Sequence, residues 1–86
     1  MNPRILYDQY KRPVVIVDES GIPWTWGPSN FYAIGTLDPT EQDGSPDSGY
    51  ACTPWDVDEA LDILEQGGYI TWEQAKALWR EHVLVV

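Results

Sequence analysis

Cysteine and long apolar runs are nearly absent from this 86-residue chain. Cys52 is the one cysteine, so no intramolecular disulfide can form, and the small secreted domains that depend on several disulfides are excluded. No apolar run approaches the roughly 18 residues of a membrane-spanning helix, and no signal-peptide or lipidation pattern follows Met1. The expected location is therefore a reducing cytoplasm, and no membrane partner is expected.

Residue types that carry catalysis or bind metal ions are also scarce. Cys52 and His82 are the sole thiol and imidazole, and a nucleophilic pair would need them within hydrogen-bond distance. We interpret Cys52 as a small buried thiol and His82 as a partly exposed side chain near a helix C-terminus. No zinc-type cluster or phosphate-binding glycine loop is present, and the EF-hand register fails from Asp38 onward. The prediction is a non-enzymatic protein with no catalytic residue, metal or cofactor.

Basic residues are missing from the middle of the chain. The formal net charge is −9, and all of the excess lies within residues 36 to 65, which contain no Lys or Arg. Such a segment repels nucleic acid and anionic lipid. The predicted last helix contains only two basic residues that could neutralise phosphates, Lys76 and Arg80. Because DNA-binding proteins obtain much of their affinity from such residues, this argues against a helix-turn-helix DNA-binding function. Direct binding to nucleic acid is therefore not expected.

Aromatic and β-branched residues dominate the first third of the chain and predict a sheet. The apolar run Val14 to Val17 reads as a strand, and Asp18 to Gly21 supplies a tight turn with glycine where a positive φ is needed. Residues 13–26 are therefore predicted to form a β-hairpin. RILYDQY upstream predicts a further strand, and SNFYAIGTL downstream fits either a short strand, which we favour, or a single helical turn.

The returning strand of this hairpin alternates in character. Ile22, Trp24 and Trp26 are predicted to share one apolar face. Pro23 cannot donate to a neighbouring strand, which predicts an edge position or an outward-pointing nitrogen.

The tryptophans divide by sequence context. Trp24, Trp72 and Trp79 lie on faces that are already apolar and are predicted to join the core. Trp26 and Trp55 lie at element ends beside polar residues, where a tryptophan serves either as a lid on the core or as an interface anchor.

The last third of the chain predicts two helices joined by a short turn. Thr53 is the expected N-cap of the first helix, which ends near Gln66 before a Gly-Gly pair. Thr71 and Gln74 have the spacing of a capping box at the start of the second helix. The terminal VLVV is expected to fray or to add a strand to the sheet.

The stretch LDILEQGGYITWEQAKAL resembles the short helical-hairpin domains found at the ends of many bacterial proteins. The resemblance covers about 18 residues and implies an interaction module. The matching residues, which also supply the core, turn and cap of any αα-hairpin, are Leu61, Leu64, Gly68, Ile70, Thr71 and Glu73.

The predicted fold is α+β, with a small antiparallel sheet packed against a C-terminal αα-hairpin. The sheet comprises the N-terminal hairpin and one or two further strands. Residues 1–86 are expected to form a single domain, comprising a sheet region at 1–35, an acidic loop at 36–52 and the helical hairpin with its tail at 53–86. The loop is longer than most connections, which favours a functional or mobile segment over a passive linker.

The acidic residues predict the site. The first helix is expected to bury its apolar stripe. Its exposed side then carries a stripe of carboxylates at i, i+4 and i+7, namely Asp58, Asp62 and Glu65. The loop before the helix adds further carboxylates, and a converging array of this kind attracts a basic partner. The residues predicted to bind a partner are Asp38, Glu41, Asp43, Asp47, Trp55, Asp56, Asp58, Glu59, Asp62 and Glu65.

The expected partner is a basic protein surface of the kind that grips DNA or RNA. Ordered carboxylates could occupy that surface by mimicking phosphates, as phage-encoded inhibitors do, among them anti-CRISPR proteins, antirestriction proteins and uracil-glycosylase inhibitors. The similarity to those inhibitors is one of physical character, and it would place the protein in a host cytoplasm. The alternatives are a structural or adaptor protein of a phage particle or larger complex, bound through tryptophans and a sheet edge, and an acidic solvated face with no partner.

Overall fold

A sheet followed by two helices makes up the fold. The computed structural model of the chain describes residues 2–26, 31–34 and 54–85, with the side chains of 54–56 and 85 left out. The predicted acidic loop, Cys52 and the Thr53 cap lie outside the described residues. The elements are β1 (Arg4–Tyr7), β2 (Pro13–Val17), β3 (Pro23–Trp26), β4 (Phe31–Ala33), α1 (Pro54–Gln66) and α2 (Trp72–Val85). The predicted α+β architecture is confirmed.

The four strands form an antiparallel sheet in the order β1-β2-β3-β4. The predicted hairpin is β2 and β3, and Gly21 in its turn has a φ of 86°. Of the two alternatives predicted from Pro23, the edge position is wrong, because β3 lies between β2 and β4. The sheet accommodates Pro23 because it is the first residue of its strand, where its carbonyl still accepts a hydrogen bond from the Ile34 N–H at 2.9 Å. Ile22 precedes the strand and is 38% exposed.

The main core lies between one face of the sheet and the two helices. Ile16, which is completely buried, pairs with Ile5 on β1 and with Trp24 on β3. Burying a side chain of this size stabilises the fold by about 1.5–3 kcal/mol. A smaller cluster includes Val15 and Val17, which point to the opposite face. The main core comprises Ile5, Ile16, Val57, Ala60, Leu61, Leu64, Ile70 and Leu78.

The turn between the helices has the predicted chemistry. α1 ends at Gln66, and Gly68 has a φ of 80°, a conformation that glycine adopts without strain. The predicted capping box is confirmed: the Gln74 N–H donates to Thr71 Oγ1 at 3.1 Å, and the Thr71 N–H donates to Gln74 Oε1 at 2.8 Å. The terminal strand suggested by VLVV is wrong, because α2 continues to Val85.

α2 does not bury the two tryptophans that were predicted to join the core. Leu78 and His82 are buried, whereas Trp72 and Trp79 are 61% and 44% exposed, so their prediction as core residues is wrong. Trp24 does pack on the core, with its ring centroid 4.7 Å from that of Tyr69. The helix therefore carries two apolar stripes, of which only one is buried against the rest of the protein.

His82 is 7% exposed, which corrects its prediction as a partly exposed residue. Its ring stacks on Tyr7 of β1, with centroids 6.1 Å apart and an interplanar angle of 2°, and its Nδ1 lies 3.3 Å from the Tyr7 hydroxyl. A buried imidazole is tolerated because this hydrogen bond replaces one that water would otherwise make. The pair joins the sheet to the end of α2.

Candidate functional site

The exposed side of α1 carries a stripe of carboxylates. Asp58 and Asp62 are exposed and Glu65 is half-buried, at the spacing that places all three on one side of a helix. Among the side chains that the structure describes, the one ion pair joins Arg12 to Asp8, with 2.7 Å between the guanidinium Nε and Oδ2. That pair lies in a turn of the sheet region, so it does not neutralise the stripe.

A second stripe faces outward from α2. Trp72, Lys76, Trp79 and Val83 recur at i, i+4, i+7 and i+11, and all four are exposed. Its two indoles are large apolar surfaces in contact with water. Isolated exposed apolar residues are ordinary, but an aligned group of them beside charged residues is typical of interaction surfaces.

The acidic stripe and three residues of the second stripe, Trp72, Lys76 and Trp79, lie on opposite walls of one open groove between the helices, which we call the hairpin groove. Its volume is about 360 Å³. Carboxylates therefore line one wall, and tryptophans flank a single lysine on the other. The groove is lined by Asp58, Leu61, Asp62 and Glu65 of α1 and by Trp72, Ala75, Lys76 and Trp79 of α2.

The lysine in the hairpin groove binds an aromatic ring. Lys76 Nζ lies 4.0 Å from the centroid of Trp72, within the distance of about 6 Å at which a cation and an indole attract each other. No ion pair between Lys76 and a carboxylate is found among the described side chains. The Trp72 ring is thus a cation site that the chain fills with its own side chain.

The acidic wall also acts on the buried histidine. Burial lowers the pKa of His82 below its ordinary value, and the negative charge of Asp58 opposes this shift without cancelling it. Burial, reinforced by the charge of Glu81, raises the pKa of Tyr7 to about 12. Both rings are therefore neutral at pH 7, and Asp58 lies near enough to His82 to influence it.

A second open groove, of about 500 Å³, lies on the other side of α2 against Asn2 and Pro3. Glu73 and Glu81 contribute charge to it, and none of its lining residues is aromatic. The hairpin groove is the better candidate for binding because it combines charge with large apolar side chains.

The structure brings together three of the residues predicted to bind a partner, namely Asp58, Asp62 and Glu65. Glu59 is exposed but does not line the hairpin groove. Trp55 and Asp56 lie in the first turn of α1, and their side chains are not described. The four loop carboxylates, which lie outside the described residues, are Asp38, Glu41, Asp43 and Asp47.

Sequence reasoning missed the aromatic wall of the groove. Trp72 and Trp79 were predicted to join the core, whereas both line the groove. The spacing of seven residues between the two tryptophans, with Lys76 midway, is the signal that separates them from the buried stripe. Helical angles separate this stripe from the one that contains Leu78 and His82, and packing against the sheet decides which of the two is buried.

A comparison with protein-family models, curated proteins and solved structures found no match to this chain. Neither helix of the described part is both long enough and apolar enough to cross a bilayer. Within residues 2–26, 31–34 and 54–85, no group of three or more His, Cys, Asp or Glu side chains is placed to hold a metal ion.

Proposed function

We propose that this protein is a non-enzymatic module that binds a basic protein surface through the hairpin groove. The observation that carries the proposal is the pairing of an acidic wall with two exposed tryptophans across one cleft. Aromatic side chains supply much of the binding energy at protein interfaces, and complementary charge supplies orientation and rate. The acidic wall selects a partner rich in Lys and Arg.

The partner class that we propose is a nucleic-acid-handling protein, whose phosphate-binding surface the acidic protein occupies by charge mimicry. A net charge of −9 on 86 residues supports this choice, because it attracts a surface built for phosphates and repels nucleic acid itself. An inhibitor of this kind, such as a phage anti-defence protein, would compete directly with DNA or RNA.

The experiment is a pull-down from bacterial lysate with mass spectrometry, followed by binding measurements on any basic protein that is captured. The triple variant Asp58→Asn, Asp62→Asn, Glu65→Gln should weaken that binding by about threefold to a hundredfold, since each exposed ion pair contributes about 0.2–1 kcal/mol and about 1.4 kcal/mol corresponds to tenfold. Binding should also decline steeply toward about 1 M salt, where the Debye length is about 3 Å.

Glu59→Gln is the matched control, because it removes an exposed carboxylate from α1 that does not line the hairpin groove. It should leave the affinity nearly unchanged. Capture of no basic nucleic-acid-handling protein, or equal affinity for the triple variant and the unaltered chain, would overturn the proposal.

A second candidate function is an adaptor that binds through the sheet edge. In the described part of the chain β4 pairs only with β3, and Tyr32 and Ile34 beside that edge are exposed. Exposed edges accept a further strand from another protein. Such an adaptor would be insensitive to salt and to the triple variant, and it would lose binding on Trp55→Ala or on a substitution at Tyr32.

A further inference from the structure

The hairpin groove contains two aromatic positions, of which one is already filled. Lys76 lies over Trp72, although three carboxylates line the same groove. Trp79, one of the other lining residues, is 44% exposed. None of the side chains that the structure describes places a cation over the Trp79 ring.

The open position has a carboxylate close by. α1 and α2 form a hairpin joined by the short turn at residues 67–71, so the lining residues that are farthest from this turn on each helix lie at the same end of the hairpin groove. These residues are Asp58 on α1 and Trp79 on α2. An incoming cation at this end would contact a ring face and a carboxylate together.

We propose that this end of the groove binds an arginine side chain of the basic partner, with its guanidinium stacked on Trp79 and hydrogen-bonded to Asp58. The inference rests on the proposed function and names the chemical group that its site recognises. Arginine fits better than lysine because its planar guanidinium stacks on an indole and presents paired donors to a carboxylate. Lys76 is an internal competitor that keeps the Trp72 position closed to a second arginine.

The test is a titration of the ¹⁵N-labelled chain with a hexa-arginine peptide, followed through the indole N–H resonances. The Trp79 resonance should shift most and should saturate. Trp24 serves as an internal reference because its Nε1 donates to Asp18 Oδ2 at 3.0 Å within the protein. A hexa-lysine peptide should bind more weakly and shift Trp79 less.

Substitutions in the acidic and aromatic walls assign the contacts. Asp58→Asn and Trp79→Leu should each weaken hexa-arginine binding about threefold, in line with an exposed ion pair and an exposed cation–π contact. Glu59→Gln removes the same charge from the same helix outside the groove and should have little effect. An unchanged Trp24 resonance in each variant shows that the fold is intact.

The internal competitor has its own test. Lys76→Ala should strengthen hexa-arginine binding about threefold and make the Trp72 resonance respond to peptide. Arg80→Ala is the matched control, because Arg80 is exposed on the same helix and does not line the groove. It should change the affinity less than Lys76→Ala does.

Several outcomes would overturn the inference. Binding that leaves Trp79 unmoved, or that Glu59→Gln weakens as much as Asp58→Asn does, would mean that only diffuse charge attracts the peptide. A Trp79 resonance that moves with protein concentration alone would make a second copy of this chain the occupant. If the lysate pull-down captures no basic protein but hexa-arginine still binds at Trp79, the proposed function is wrong and this inference stands. If a basic protein is captured and the Trp79→Leu variant binds it as tightly as the unaltered chain does, this inference is wrong and the proposed function stands.

Discussion

At the scale of single residues, Asp18 organises the hairpin turn. Its Oδ1 accepts hydrogen bonds from the Ser20 and Ile22 N–H groups at 2.8 and 2.9 Å, and its Oδ2 accepts one from Trp24 Nε1 at 3.0 Å. The side chain is completely buried. Three donors would lose their partner if this carboxylate were removed, and buried donors without partners are costly.

Asp18→Ala is expected to lower the free energy of unfolding by about 3 kcal/mol, because each unsatisfied buried donor costs about 1–3 kcal/mol and water can reach part of the turn. Asp18→Asn should cost less, since its amide oxygen still accepts the two backbone N–H groups while its NH₂ faces the Trp24 indole donor. Urea unfolding followed by circular dichroism measures both.

Trp24→Phe provides the control because it removes the indole donor. In a chain that carries Trp24→Phe, Asp18→Asn should lower the free energy of unfolding by less than it does in the unaltered chain, because the new amide NH₂ no longer faces the indole N–H. Equal penalties in both backgrounds would contradict the assigned role of the Trp24 bond.

Asp8 plays a similar part in the turn between β1 and β2. Its Oδ1 accepts hydrogen bonds from the Tyr10 and Arg12 N–H groups, and its Oδ2 pairs with the Arg12 guanidinium. Burial alone would raise the pKa of Asp8, but these hydrogen bonds and the positive charge outweigh it and lower the pKa. Its stabilising contribution is present above the ordinary carboxyl pKa and is lost as the pH falls through the lowered value.

At the scale of elements, the carboxylates of α1 oppose the helix that carries them. Asp62 has Asp58 four residues before it and Glu65 three residues after it, and like charges at these spacings destabilise a helix by about 0.2–0.5 kcal/mol per pair. The groove wall is thus maintained at a cost to stability. Functional surfaces commonly carry such a cost.

Asp62→Asn is expected to raise the free energy of unfolding by about 0.5 kcal/mol at low salt, because both repulsions disappear while helix propensity is nearly unchanged. The gain should fade as salt screens the remaining charges. Chemical denaturation at low and high salt checks the prediction.

Glu73→Gln on α2 is expected instead to lower the free energy of unfolding. Glu73 lies in the first helical turn, where a negative charge interacts favourably with the helix N-terminus. A loss of stability on Asp62→Asn at low salt would contradict the repulsion argument.

At the scale of the whole molecule, the contact between Tyr7 and His82 makes stability depend on pH. Because burial lowers the pKa of His82 in the folded protein, the unfolded chain binds the histidine proton more readily. Stability is therefore fully present above about pH 6.5, the unfolded value, and declines as the pH falls toward the lowered folded pKa. The slope should not exceed about 1.4 kcal/mol per pH unit.

His82→Phe is expected to abolish most of this slope below about pH 6.5, because it keeps an aromatic ring against Tyr7 but removes the group that binds the proton. His82 is the one histidine of the chain, and the lowered pKa of Asp8 places its titration at more acidic pH. Urea unfolding across this range measures the effect. An unchanged slope in the variant would show that other groups cause it.

Much of the fold was predictable because it follows from local chemistry. The Asp18 to Gly21 turn, the end of α1 at Gln66 and the Thr71–Gln74 capping box each involve residues within a few positions of one another. The acidic stripe follows from helical spacing as soon as α1 is assigned. These features need no knowledge of what the elements pack against.

The errors concern residues whose surroundings come from distant parts of the chain. His82 is buried because Tyr7, which lies 75 positions earlier, stacks on it. Trp72 and Trp79 are exposed because α2 packs through Leu78 and His82 instead. Pro23 lies in an inner strand because β4 pairs beside it, which the proline alone does not indicate.

Hydrogen bonding and side-chain spacing within an element are local, so the kinds of elements, the Thr71–Gln74 cap and the order of charges along α1 follow from the amino-acid sequence. Burial depends instead on how one element packs against others. The stripe of α2 that is buried, and therefore the side chains that face Asp58, Asp62 and Glu65 across the hairpin groove, are set by the packing of α2 on the sheet and α1. With two apolar stripes on one helix, that packing leaves one of them in water beside the carboxylates.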